Sequence, residues 1–293
     1  HHQVETKMNF GKNKNFIYNM MGTAQGMSMT HHGYTTGLNA VADMILNDKT
    51  SMKYGLETQM YEVDDSWDPT GGMMSGGVMK NINDGKRDRY SLFVEVERQW
   101  SKAWFTQQGI RLSKIKMDTG DVINYDGSGV DFLNFNNASK SKNDTHLDLT
   151  FSASYSPNLY QTHEFGYALK NRSPTLQERY LWSTNPMHAS MANWFGDGNG
   201  YVGDIDLDKE TAHTFAYAAI FHDSNKNVWN LHINPYLTFV DDYIDAKTII
   251  DEGSISDGGR SDGFRTLKLG NQRAKLYGID IRGNINIGSV NTL

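Results

Sequence analysis

The 14 methionines of this sequence are not spread evenly. The stretch MMGTAQGMSMTHHGY carries Met20, Met21, Met27, Met29, His31 and His32. GGMMSGGVMK carries Met73, Met74 and Met79, and NPMHASM carries Met187, His188 and Met191. Thioethers are soft ligands and imidazole suits copper, so sulfur and nitrogen donors gathered without carboxylates select copper, copper(I) above all. On an extended segment, residues two apart point the same way. Met27 and Met29 share that relation, as do Met29 and His31, so one face offers two sulfurs and a nitrogen. The candidate metal ligands are therefore Met27, Met29, His31, Met187, His188 and Met191, with copper as the metal. Each group has a plainer reading. The first is also what a Met-rich surface packed against an apolar neighbour looks like. The third sits among Trp182, Trp194 and Phe195, which would form a hydrophobic cluster without any metal. The second is glycine-rich and reads as a flexible loop.

Other chemistry is thinly represented. Phe195-Gly196-Asp197-Gly198-Asn199-Gly200, with Asp204, Asp206 and Asp208 nearby, lacks the full calcium-loop spacing and its terminal Glu. Asp241, Asp242 and Asp245 read as a solvated strand end, and His213 and His222 as structural histidines. Arg172 and Arg179 bracket Pro174 and Glu178 and are expected to hold the base of a loop. No nucleophile elbow, phosphate loop or HExxH motif occurs, and the chain has no cysteine. The chain is therefore expected not to be an enzyme. Its net charge of -6, with no basic stripe, argues against a nucleic-acid partner.

These candidate ligands must be carried by strands. A period of two recurs along the chain. In 146–156, Leu147, Leu149, Phe151, Ala153 and Tyr155 alternate with His146, Asp148, Thr150, Ser152 and Ser154. In 229–239, Trp229, Leu231, Ile233, Pro235, Leu237 and Phe239 alternate with polar residues, as do Tyr277, Ile279, Ile281, Ile285 and Ile287 later. From Tyr90, Leu92, Val94 and Val96 alternate with Glu95 and Glu97. Strands are expected near 3–19, 33–46, 50–63, 87–100, 103–117, 145–156, 159–170, 209–222, 227–242 and 265–287. Most run about 11 residues or more, against roughly 5–6 in soluble proteins. Eleven residues give about 36 Å, which at a tilt near 40° still crosses the ~25 Å apolar band of an outer-membrane barrel.

The connections alternate as well. Those at 47–49, 101–102, 157–158 and 223–226 are short, whereas 20–32, 64–86, 118–144, 171–208 and 243–264 are long. A sheet crossing an outer membrane has short periplasmic turns and long outer loops. Glu95, Glu97, His146, Asp148, Glu164, Asn230, Asn234 and Arg282 would face a wet or plugged lumen, while Trp100, Trp104, Phe105 and Trp229 suit an interfacial girdle. The fold class expected is all-β: an antiparallel, up-and-down transmembrane β-barrel of the outer membrane, of which this chain supplies about ten strands. A large soluble β-protein is the rival.

Four segments carry a resemblance to TonB-dependent outer-membrane receptors. These are Lys170-Asn171-Arg172-Ser173-Pro174-Thr175-Leu176-Gln177-Glu178-Arg179-Tyr180, then 200–210, then Pro235-Tyr236 with Asp241-Asp242-Tyr243-Ile244-Asp245, and last Lys275-Leu276-Tyr277-Gly278-Ile279-Asp280, where Asp280 replaces the usual Glu. Within that family the chain most resembles the copper receptors, through Glu178-Arg179-Tyr180-Leu181-Trp182-Ser183-Thr184, 195–201, Tyr236 and 240–246. The resemblance implies that residues 1–293 are part of a barrel of 22 strands, with a plug domain and the last strands outside this sequence. It implies partnership with the TonB complex through the plug, contact with outer-membrane lipid and lipopolysaccharide, and copper import as the function. A siderophore receptor or a passive pore is the alternative. The family's His-x-Met element has no literal copy here; Met27-Ser28-Met29 or Met29-Thr30-His31 stands where it is expected.

Overall fold

The computed structural model describes residues 2–14, 18–19, 28–68, 77–124, 129–185, 188–189, 199–224, 228–251 and 265–286. In chain order the elements are β1 (His2–Lys14), β2 (Tyr18–Asn19), β3 (Ser28–Asn47), β4 (Thr50–Asp68), β5 (Met79–Gln99), β6 (Trp104–Asp118), α1 (Val130–Asn137), β7 (Lys142–Asn158) and β8 (Gln161–Arg172). There follow α2 (Leu176–Tyr180), β9 (Gly200–Val202), β10 (Glu210–His222), β11 (Trp229–Asp251) and β12 (Arg265–Ile285). The long strands form one sheet in the order β1-β3-β4-β5-β6-β7-β8-β10-β11-β12, each antiparallel to its neighbours. The two-residue β2 extends the outer end of β3, and β9 lies parallel to the start of β12. No pairing joins β1 to β12, so among the described residues the sheet is open rather than closed into a barrel.

Register turns the alternation of single strands into a continuous apolar face. Leu56, Leu92, Leu112 and Leu147 lie in one row across β4 to β7. Phe151, Tyr167, Phe215, Leu237 and Tyr277 form another across β7 to β12. These side chains point away from the rest of the protein: Leu92 is 62% exposed, Leu112 53% and Tyr277 75%. No second sheet or helix covers them among the described residues. Exposed apolar surface this extensive is untenable in water and natural in lipid. At the short-turn end Trp104 stacks on Tyr155 at 4.5 Å, and the row continues through His163 to Tyr217, whose hydroxyl lies 2.7 Å from His163 Nδ1. Aromatic rings with a polar tip belong at such an interface. Toward the other end the apolar cover of β5 and β6 stops at Tyr90, beyond which Asp88 and Lys116 occupy paired outward positions.

The opposite face is polar. Glu57 accepts from Arg111 Nη1 at 2.5 Å, Ser91 and Ser113 join hydroxyls at 2.8 Å, and Gln107 donates to Glu95. Gly278 on this face lies beneath the Tyr236 ring, at a spot where a Cβ would come within 2.7 Å of ring carbon. Glycine is required there so that the ring can lie flat on the neighbouring strand.

Four strands continue well past their expected ends. β3 starts at Ser28, β4 reaches Asp68, β5 starts at Met79 and β11 runs to Asp251. Beyond the bilayer no face is dedicated to lipid, so the two-residue alternation fades while backbone pairing continues. Met29, His31 and Met79 consequently lie in strands, not in loops as expected.

Candidate functional site

Above the membrane level, the long connections fold down onto the polar face of the sheet. Val63 and Trp67 of β4, Met79 and Ile82 of β5, and Ile115 and Met117 of β6 meet Phe135 of α1, Leu176 and Tyr180 of α2, and Trp182 in one buried core. Met79 is completely buried there and serves as a core methionine.

The segment after β8 is held in place by a charged clasp. Thr175 caps α2 by accepting from the Glu178 N–H at 3.1 Å, and the Glu178 carboxylate accepts from the Thr175 N–H at 2.7 Å, a capping box. The same carboxylate receives Arg172 Nη1 at 2.8 and 3.1 Å. Arg172 also grips Glu210 at the start of β10, with Nε at 2.6 Å and Nη2 at 2.7 Å. These bonds hold the Arg172 proton more tightly than usual, Glu210 first and Glu178 after. Burial raises the Glu210 carboxyl, but Arg172 and the Ile244 N–H outweigh it and the net shift is downward. Arg179 is buried, and its Nη2 donates to both oxygens of Asp144, at 3.1 and 3.3 Å, and to the Leu207 carbonyl at 2.9 Å. Gly203 closes the clasp: a Cβ there would lie 2.5 Å from the Glu178 carbonyl oxygen. The arginines expected to hold a loop base therefore do so through Glu178, Glu210 and Asp144.

The candidate metal ligands separate into those the structure places and those outside it. Met27, Met187 and Met191 lie outside the described residues, as do Met20, Met21, Met73 and Met74. Met29 occupies β3, opposite Tyr18 on one side and Trp67 on the other. His31 follows on the same strand, and its Nδ1 bonds the carboxylate of Asp65, its register partner on β4. Asp65 is buried and His31 only partly so. The bond to Asp65 raises the His31 pKa against the opposing pull of burial. A carboxylate on Nδ1 fixes the ring and leaves Nε2 for a ligand, the arrangement of metal-bound histidines generally. Sequence reading passed over Asp65, although it alternates in step with Val63 and Trp67. His188 Nδ1 lies 3.0 Å from Ser183 Oγ, with its ring 6.1 Å from that of Trp182. Among the described residues, no three His, Cys, Asp or Glu side chains converge as a metal site would need.

An antiparallel sheet with a lipid-facing side, short turns at one end and protein-roofed connections at the other is a segment of an outer-membrane β-barrel. Membership is specific: the chain belongs to the family described as "TonB dependent receptor-like, beta-barrel", whose model matches residues 5–292. This is a family of outer-membrane receptors of Gram-negative bacteria, not of enzymes. No curated protein matches the sequence. Among solved structures, the chain is similar to the copper transporter OprC, at 14% identity and a TM-score of 0.69, over 98% of this chain and 41% of that one. It is also similar to the hemophore receptor HasR of Serratia marcescens, at 13% identity and a TM-score of 0.59, over 89% and 40%. The FrpB iron transporter of Neisseria meningitidis gives 13% and 0.55, over 89% and 34%. The chain thus spans well under half the length of each, and at such identities the likeness concerns the fold.

Proposed function

We propose that this chain is the barrel portion of a TonB-dependent importer whose cargo is copper, bound first at the outer end of β3. The observation that carries the cargo reading is the Met29-Thr30-His31 stretch on β3, where Asp65 already orients the His31 ring. The likeness to OprC over nearly the whole chain is in keeping with it. Capture needs soft donors above the membrane; release needs force, which in this family's resemblance comes from TonB acting on a plug within the barrel. Lipopolysaccharide and phospholipid would surround the apolar face.

A second reading has an observation of its own. The inner wall carries several guanidinium groups, and structures similar in fold include an iron transporter and a hemophore receptor. A receptor for an iron chelate would use such a wall. The two readings part in one experiment. The full-length receptor is titrated with copper(I) beside a variant carrying M27A, M29A and H31A, and a strain lacking the receptor is grown under copper and under iron limitation. The copper reading expects tight copper(I) binding lost in the variant and a growth defect under copper limitation. A defect confined to iron limitation, with copper binding unchanged in the variant, overturns it in favour of the chelate reading.

A further inference from the structure

Five arginines lie on the polar face at or just above the membrane level, and their carboxylates are unevenly shared. Arg172 holds Glu178 and Glu210, Arg179 holds Asp144, and Arg111 holds Glu57. Arg89 reaches Glu57 only at 3.8 Å. Arg87 has no ion pair among the described residues. The Nε atoms of both Arg87 and Arg89 are buried and have no acceptor. Arg87 and Arg89 are two apart on β5, so their side chains leave the strand on one face. Register sets Arg87 between Tyr61 and Met117, and Arg89 between Gln59 and Ile115. Arg87 thus lies at the membrane-side margin of the roofing core, which contains Met117 and packs against Tyr61.

This placement is costly as it stands. Arg87 is half-buried with no ion-pair partner among the described residues, and taking even part of a guanidinium out of water unpaired is unfavourable, whereas Arg89 is 39% exposed and has Glu57 at 3.8 Å. Burial, first, and then neighbouring Arg89 loosen the Arg87 proton; Asp144 opposes this, but its oxygens are already engaged by Arg179. Two guanidinium groups side by side, each with an Nε–H that lacks an acceptor, suit the planar oxygens of a carboxylate or the tetrahedral oxygens of a phosphate.

We infer that Arg87 and Arg89 together form a binding site for one anionic group, a carboxylate or a phosphate, on the inner wall of the barrel beneath the roofing core. The anion has two possible sources: a dissolved anionic ligand, or an acidic side chain of polypeptide that occupies the lumen. The site stands independently of the copper reading, since it involves neither Met29 nor His31.

The test uses the full-length receptor in detergent at low ionic strength, where charge pairing is least screened. Citrate and inorganic phosphate are the probes. The double variant R87Q/R89Q is compared with K114Q/K116Q, which removes the same charge from exposed residues on the outward face. Saturable binding of either anion, weakened about tenfold or more in R87Q/R89Q and unchanged in K114Q/K116Q, establishes the site with a dissolved ligand. Absence of binding, together with a thermal midpoint several degrees lower in R87Q/R89Q than in K114Q/K116Q, establishes the site with an internal carboxylate. If neither anion binds and both variants unfold at the same temperature, or if both lose binding equally, the inference is overturned. Copper(I) titration of R87Q/R89Q gives wild-type affinity if the two sites are separate, so failure of one reading is visible apart from failure of the other.

Discussion

Replacing Arg172 by alanine strips two carboxylates of their partner at once. The side chains of Glu178 and Glu210 are only 8% and 12% exposed, so neither can turn to water without moving backbone. Truncating one member of a fully buried ion pair costs about 3–5 kcal/mol. Arg172 itself is 42% exposed, so the pair is partly screened and the cost falls below that range, to about 2–3 kcal/mol. The loss is local, because α2 and its capping box hang from this guanidinium while the sheet does not. Hydrogen exchange at the amides of α2 and β9 should therefore quicken about 30- to 150-fold, while amides in mid-β7 keep their protection. Lysine at 172 keeps the charge but not the fork and should restore part of the protection. Arg273, 91% exposed and 3.4 Å from Asp241, supplies the comparison, and R273A should change nothing measurable. If R172A opens α2 no more than R273A does, the clasp as described is wrong.

Three further outcomes are expected. Because the Asp65 bond raises the His31 pKa above 6.5, protonation starts to compete with copper(I) above that pH on acidification, so affinity should already be falling at pH 6.5; the same bond's contribution to stability is complete below 6.5 and lost as pH rises through the raised value. Copper(I) titrations from pH 5.5 to 8 should show this fall in the wild type and not in H31A. Ile110 is 49% exposed on the apolar face, so I110R should cost roughly 2–4 kcal/mol in refolding into bilayers, whereas S152R on the polar face should cost much less. Equal costs would mean the faces are misassigned. G203A drives a Cβ against backbone at 2.5 Å and should destabilise α2 by about 1–3 kcal/mol, read as faster exchange of its amides with little change in the global unfolding midpoint.

The membrane-crossing parts of this chain were readable because lipid imposes a strict two-residue rhythm. Leu147, Leu149 and Phe151 alternate cleanly, and β7 and β8 fall where that rhythm places them. Where the bilayer ends, the rhythm ends too, so the outer continuations of β3, β4, β5 and β11 carry no strand signal in the sequence. Arg172 and Arg179 were recognisable as anchors from their spacing around Pro174 and Glu178. Their partners Glu210 and Asp144 were not, since those contacts depend on how strands remote in sequence lie side by side. Asp65 was missed for the same reason, as it meets His31 only through the β3–β4 register. Met79 looked like its neighbours Met73 and Met74 in composition, and only packing against Trp67 and Ile82 distinguishes it as core.

The unpaired rims of the sheet have a consequence for how this polypeptide can exist. Inside hydrocarbon there is no water to satisfy a stray amide or carbonyl, so a membrane sheet is tolerable only when its last strand finds its first or is continued by others. β1 along its outer side, and β12 below the three residues it pairs with β9, present rows of such groups. These residues by themselves should therefore resist insertion as a stable unit and tend to add strands from any neighbour, including another copy. Assembly into the bilayer must end with each rim paired, to the other or to a neighbouring strand, and the barrel is finished as a ring or not at all.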